Sequence, residues 1–191
     1  INSLFDCAGN AIQENYNHFT FALPEAGEMG ALVISEILFN PYPGSVDFVE
    51  IYNLSEKYVN LKNWSFANQN EDSIYNEKEI TVSDLIIAPK TYLVFSSNTK
   101  AVINLYPGSV ETNFFQTTLP SMNDDEGSIV LLQESQEVID ALYYSDKFHN
   151  PLLKDDEGVS LERIAFLEPT QNRNNWRSAN ASVGFATPGY L

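Results

Sequence analysis

The run Leu32-Val33-Ile34-Ser35-Glu36-Ile37-Leu38-Phe39 closes at Asn40-Pro41-Tyr42-Pro43-Gly44 and gives way to Phe48-Val49-Glu50-Ile51-Tyr52. These two runs decide the fold class. Both are crowded with β-branched and aromatic residues, and two prolines with a glycine mark a loop between them. In the second run Val49 and Ile51 share one face, while Phe48, Glu50 and Tyr52 share the other, which is the period of a strand.

The same pattern repeats outward. Asn53-Leu54-Ser55-Glu56-Lys57 reads as a turn, and Val59 and Leu61 then alternate with polar residues toward Trp64-Ser65-Phe66. Further strands are expected over residues 81–87, 92–96, 128–132, 138–144 and 159–164, with 134–136 as the tip of a hairpin. Asn98 is placed to cap a short helix near residues 99–106, where Val102, Leu105 and Tyr106 share a face and Pro107-Gly108 stops it. The Asn-rich stretch after Pro169 is expected to be irregular and pinned by Trp176. Many short strands separated by turn chemistry predict an all-β sandwich or barrel.

Composition narrows the function. The chain of 191 residues is 43% hydrophobic and 13% aromatic, enough for a sizeable core. Its 26 acidic residues against 10 Lys plus Arg give a formal charge of −16, which repels phosphate backbones and anionic lipid surfaces. General nucleic-acid binding is therefore not expected. Cys7 is the single cysteine, so neither an intrachain disulfide nor a cysteine-based zinc site can form. No run is long enough for a transmembrane span, and no membrane insertion of this segment is expected. Residues 1–28 are expected to be the tail of a preceding module plus a linker, with Asp6-Cys7-Ala8-Gly9-Asn10 as a turn between β-like pieces. The main domain then occupies residues 29–191. The start at Ile1 rather than Met suggests a piece of a longer chain.

An ordered set of motifs resembles the bacterial lamin-tail domain: 33–37, Asp47-Phe48-Val49-Glu50-Ile51-Tyr52-Asn53, 59–64, 86–89 with 92–95, and 127–132 with 138–140. Gly158-Val159-Ser160-Leu161-Glu162-Arg163-Ile164, Asn175-Trp176-Arg177-Ser178 and Ala186-Thr187-Pro188-Gly189-Tyr190 complete it. The resemblance covers about residues 31–190. It implies an immunoglobulin-like β-sandwich and no catalytic residues. The late elements are similar to a version found in exported multi-domain proteins of Bacteroidetes-type bacteria, often preceded by Ig-like repeats. The Asp6–Asn10 segment is similar to the end of such a repeat. The DNA link of the animal lamin domains is not carried over, because a basic patch is missing here.

Each candidate for chemistry has a plain structural alternative. Asp124-Asp125-Glu126 and Asp155-Asp156-Glu157 each precede a glycine and a predicted strand, so one of the runs is a candidate weak Ca²⁺ site; neither has EF-hand spacing, and turn chemistry explains both. Glu36 and Glu50 sit in adjacent predicted strands and can face each other, the arrangement of a catalytic carboxylate pair; a structural role is favoured, with Glu50 anchoring the Asn53 turn or lying on a wet face. Cys7 with His18 lacks any nucleophile signature, and His149 lacks a second histidine for a metal. Tyr42, Tyr52, Tyr58, Tyr75, Tyr143, Tyr144, Trp64 and Trp176 include candidate sugar-stacking rings; Tyr42 and Tyr75 are the expected exposed ones, and both tryptophans are expected in the core. Arg163 is expected to hold the late Asn-Trp segment, in one form by stacking on Trp176. The resulting expectation is a non-catalytic structural or protein-interaction module of a secreted or cell-surface protein. The alternative is an accessory polysaccharide-binding module of a larger exported enzyme.

Overall fold

The computed structural model describes residues 5, 7–11, 21, 23–25, 27–71 and 73–190. His18 lies outside the described residues.

The first decisive run forms β1 (Leu32–Leu38) and the second forms β2 (Phe48–Asn53), paired antiparallel. They continue into β3 (Val59–Asn60), β4 (Ser65–Gln69), β5 (Ile74–Glu79), β6 (Ile86–Ile87) and β7 (Tyr92–Ser96). After α1 (Thr99–Leu105) come β8 (Phe114–Gln116), β9 (Glu126–Leu132), β10 (Val138–Ser145), β11 (Leu161–Arg163) and β12 (Trp176–Ser178). A six-stranded sheet runs in the order β12-β11-β1-β2-β7-β8 and a four-stranded sheet in the order β10-β9-β4-β5, with a small β3-β6 ribbon beside them.

Alternation builds the core. Leu32, Ile34, Val49, Ile51, Leu93, Phe95 and Leu161 face inward from the larger sheet. They meet Phe66, Ile129, Leu131 and Leu142 from the smaller one, all but Leu93 without solvent exposure. Phe66 packs edge-on against Phe95, with 5.0 Å between ring centroids. The opposite face of the larger sheet is covered as well. There Leu38, Phe48 and Val94 pack under α1, through Val102 and Tyr106, and under Ala186 of the C-terminal segment. Asn98 caps α1 as expected, its side chain accepting from the Ala101 N–H.

The two sheets are tied where each carries a bulge. β1 shifts register between Ile34 and Glu36, and β10 shifts between Val138 and Asp140. Asp140 Oδ2 accepts from the Ile34 N–H at 2.8 Å and from Arg163 Nη1 at 3.3 Å. Asp140 Oδ1 accepts from the Thr170 hydroxyl at 2.6 Å.

The turn after β2 rests on Asn53, which is fully buried. Its side chain donates to the Lys57 carbonyl (2.8 Å) and the Ala88 carbonyl (3.0 Å), and accepts from the Ser55 N–H and hydroxyl. Asn53→Ala is expected to cost about 2 kcal/mol, since several buried backbone groups lose their partner at once. Urea denaturation checks this, and a midpoint equal to the parent's would refute it.

Some expectations fail for identifiable reasons. Over residues 81–87 only Ile86–Ile87 is strand. The Thr81 hydroxyl accepts from the Ser83 N–H and turns the chain, leaving Val82 exposed. The strand expected over 159–164 is shortened to Leu161–Arg163. The stretch after Pro169 is not wholly irregular, because β12 pairs with β11.

Both edges of the four-stranded sheet are irregular or capped. In β5, Asn76 takes a left-handed backbone (φ 52°) beside a register shift in β4. Along the free edge of β10, the Gln171 side chain donates to the Ala141 carbonyl (2.7 Å) and accepts from the Tyr143 N–H (3.3 Å).

Ahead of β1, Phe5 and Ala11 form an antiparallel bridge around the expected turn. Within the stretch read as linker, Glu25 bridges in parallel to Val59 and donates its N–H to the Tyr58 carbonyl. Gly27 is buried against Trp64, where a Cβ would lie 2.5 Å from the indole, so only glycine fits.

Candidate functional site: a row of buried carboxylates

Glu36 is paired in register with Glu50 on β2 and with Glu162 on β11, so three carboxyl groups lie side by side across the larger sheet. All three are buried. The facing of Glu36 and Glu50 is the expected one; Glu162 is the member that sequence reasoning missed, although the Leu-Glu-Arg strand carrying it was identified. The row lies on the outer face of the sheet, between the cluster under α1 and a ring cluster of Tyr52, Tyr92 and Phe166.

The C-terminal segment roofs this row and supplies donors to it. Glu50 Oε2 accepts from the Gly189 N–H at 2.6 Å, and Glu50 Oε1 from the Ser35 hydroxyl at 2.6 Å. Glu50 therefore does not anchor the Asn53 turn, which holds itself, and it does not lie on a wet face. Glu36 Oε1 accepts from the Thr187 N–H (2.9 Å) and the Ser160 hydroxyl. Thr187 Oγ1 sits 3.2 Å from Glu36 Oε2 and 3.0 Å from Glu162 Oε1. Glu162 Oε2 accepts from Arg177 Nε at 3.0 Å.

Loss of water dominates the electrostatics of the row. Burial pushes Glu36 up to about 7, against the hydrogen bonds from Ser160 and Thr187, and Glu162 adds repulsion. Burial raises Glu50 well above the usual carboxylate range, with repulsion from Glu36 next. Asp47, half-buried at the start of β2, is also raised to about 7, by burial and then by Asp124.

The other candidates are dispersed. In the acidic turns Asp125 Oδ1 accepts from the Glu126 N–H, Asp155 Oδ1 from the Glu157 N–H, and Asp156 Oδ1 from Asn40. The first two are local turn contacts, and the third ties the second acidic run to the loop after β1. Among the described residues no three His, Cys, Asp or Glu side chains converge into a group that could hold a metal ion. With both runs acting as turns, the melting temperature is expected to be the same in EDTA and in millimolar calcium; a rise with calcium would establish Asp124-Asp125-Glu126 or Asp155-Asp156-Glu157 as a site.

Cys7 is exposed. His149 is buried against Phe39, with Nδ1 beside the Ser178 hydroxyl at 3.0 Å. It lines an open depression of about 370 Å³ with Asp146, Asp156 and Arg173. Trp64 and Trp176 are in the core as expected, and Tyr144 stacks on Phe39 there. Tyr42 and Tyr75 are exposed as expected, and Tyr143 joins them. Arg163 does not stack on Trp176. Its guanidinium turns instead to Asp140 and to the carbonyls of Ile34 and Glu168, because a buried cation needs acceptors on every side.

Among the described residues no helix is long and apolar enough to cross a membrane. A search of curated proteins finds no match. The family model for the Lamin Tail Domain matches residues 25–146, from the Glu25 bridge through β10. Glu36 and Glu50 fall inside the match; Glu162 and the C-terminal roof lie beyond it. Matching well over half of the chain, and agreeing with the two-sheet immunoglobulin-like architecture, the model shows that this chain belongs to the lamin tail domain family, a family of non-enzymatic Ig-like domains.

Proposed function

We propose that the chain is a non-catalytic structural or protein-interaction module of a secreted or cell-surface protein, set within a longer multi-domain parent. One observation carries the reading. Glu36 and Glu50, the facing acids that would mark a catalytic pair, are sealed beneath the C-terminal segment and hydrogen-bonded to it. They hold the fold closed, and substrate has no path to them. Residues 1–28 are assigned to the end of a preceding Ig-like repeat plus a linker, with Glu25 and Gly27 seating that linker on Trp64. The Phe5–Ala11 turn supports this, as does the exposure of Phe21 and Leu23 (92% and 87%), which await a neighbouring surface. A parent from a Bacteroidetes-type bacterium is part of the same proposal.

Two assays test it together: a panel of chromogenic ester, glycoside and phosphate substrates, and a glycan array. Both are expected to be silent. Turnover lost in Glu36→Gln would overturn the non-catalytic reading. The exposure of Tyr42, Tyr75 and Tyr143 favours the second reading, an accessory polysaccharide-binding module. Glycan binding abolished by Tyr75→Ala or Tyr143→Ala would establish that reading instead.

A further inference from the structure

The Thr187 hydroxyl carries one proton yet lies within hydrogen-bond distance of two carboxyl oxygens, Glu36 Oε2 (3.2 Å) and Glu162 Oε1 (3.0 Å). It can donate to only one of them. The other contact is a hydrogen bond only if that carboxyl group itself carries a proton and donates to Thr187 Oγ1. Arg177 decides which. It donates to Glu162 Oε2 at 3.0 Å, which fixes the negative charge on Glu162. Glu36 has no cation within reach, and its Oε1 is already occupied by the Thr187 N–H and the Ser160 hydroxyl. The proton therefore belongs on Glu36 Oε2.

We infer that Glu36 is held as the neutral acid and that its proton is a latch, closing the series Glu36 to Thr187 to Glu162 to Arg177 and clamping residues 186–190 across β1, β2 and β11. When the proton leaves to solvent, Glu36 and Glu162 confront each other as two carboxylates across one hydroxyl, and the clamp loosens from the Thr187 end. The groups facing the row from other elements do not supply a substitute. Glu50 on β2 adds a third acid. Tyr106, at the end of α1, is engaged with the Gly158 carbonyl and, like Tyr92 on β7, is pushed by burial to ionise only in strong alkali. Arg177 on β12 is the cation at the row, and it lies at the far side, on Glu162. Burial, which holds Glu36 near 7, places the release close to neutral pH.

The test is an NMR pH titration of the full chain with amide hydrogen exchange at Thr187 and Gly189. In the parent, the Glu36 carboxyl carbon is expected to titrate near neutral pH. As pH climbs from 4.5 toward about 7, the protection of both amides, corrected for intrinsic exchange, is expected to fall by up to about tenfold per pH unit, the limit for loss of one proton, and to level off above it. Glu36→Gln keeps a donor toward Thr187 and cannot ionise, so its loss of protection at Thr187 is expected to be shallower than the parent's by up to about tenfold per pH unit. The inference is overturned if Glu36 titrates in the ordinary carboxylate range, if E36Q keeps the parent's pH-dependent loss, or if Glu50→Gln flattens the curve and E36Q does not. Should E36Q not fold, the parent's carboxyl titration decides alone.

Discussion

Arg163→Ala is expected to destabilise the protein by about 3–5 kcal/mol, the range for removing one partner of a buried ion pair. In a domain of this size that lowers the melting temperature by roughly 10 °C. The guanidinium is almost wholly buried and joins three parts of the chain. Nη1 donates to Asp140 and to the Ile34 carbonyl, so it spans the bulges where the two sheets meet. Nη2 donates to the Glu168 carbonyl at 2.6 Å and fixes the loop leading to Trp176, whose indole N–H binds the Thr170 carbonyl. Alanine leaves Asp140 buried beside carbonyl oxygens that have lost their donor. Arg163→Lys is expected to fall between parent and alanine, because an ammonium keeps the charge but not the fork that reaches both sides. Thermal melts with urea denaturation measure the effect; an alanine variant that melts like the parent would show that the sheets are held by apolar packing alone.

The parent is expected to be more stable near pH 5 than near pH 8, against the usual behaviour of a protein so rich in carboxylates. Glu36 moves from 4.5 to about 7 on folding, Asp47 from 3.8 to about 7, and Glu50 well above 4.5. Each raised group binds its proton more tightly in the folded state. Its contribution is complete below the unfolded value and is lost as pH climbs from about 4 through about 7. For Glu36 alone the shift corresponds to roughly 3 kcal/mol. His149 acts the other way: burial lowers it, so its contribution is present above 6.5 and is lost as pH falls. It is one group against four, since burial raises Asp140 as well, and it softens the acid side without reversing the trend. Calorimetry across this range measures the slope, and a melting temperature that rises from pH 5 to pH 8 would refute it.

How much of this was legible in the sequence depends on where each residue's partner lies. The pairing of β1 with β2, and the facing of Glu36 and Glu50, could be read because the two runs are neighbours joined by an evident loop. Glu162 could not be placed beside them, because its strand returns to the far edge of β1 after more than a hundred intervening residues. The strand Ile74–Glu79 was missed because an edge strand facing water tolerates Asn, Glu and Lys, which carry no alternation to read. β8 was missed for a different reason: it pairs parallel to β7, across α1, and only three residues do so. The role of Arg163 was half visible. Its strand and its task of holding the late segment were foreseen, but Asp140, its true partner, belongs to the other sheet.

The irregular edges have a bearing on behaviour at high local concentration. A sandwich exposes strands whose free N–H and C=O groups invite the same strand of another copy. Here the left-handed Asn76 twists the rim of β5 out of line, and the Gln171 amide occupies the rim of β10 as a strand in miniature. The rims at β8 and β12 are three residues long, too short to template a partner. Copies held at high local concentration are thereby hindered from pairing through these strands. A chain whose contacts with others run through side chains rather than exposed backbone can be repeated at high density and still remain a set of separate molecules.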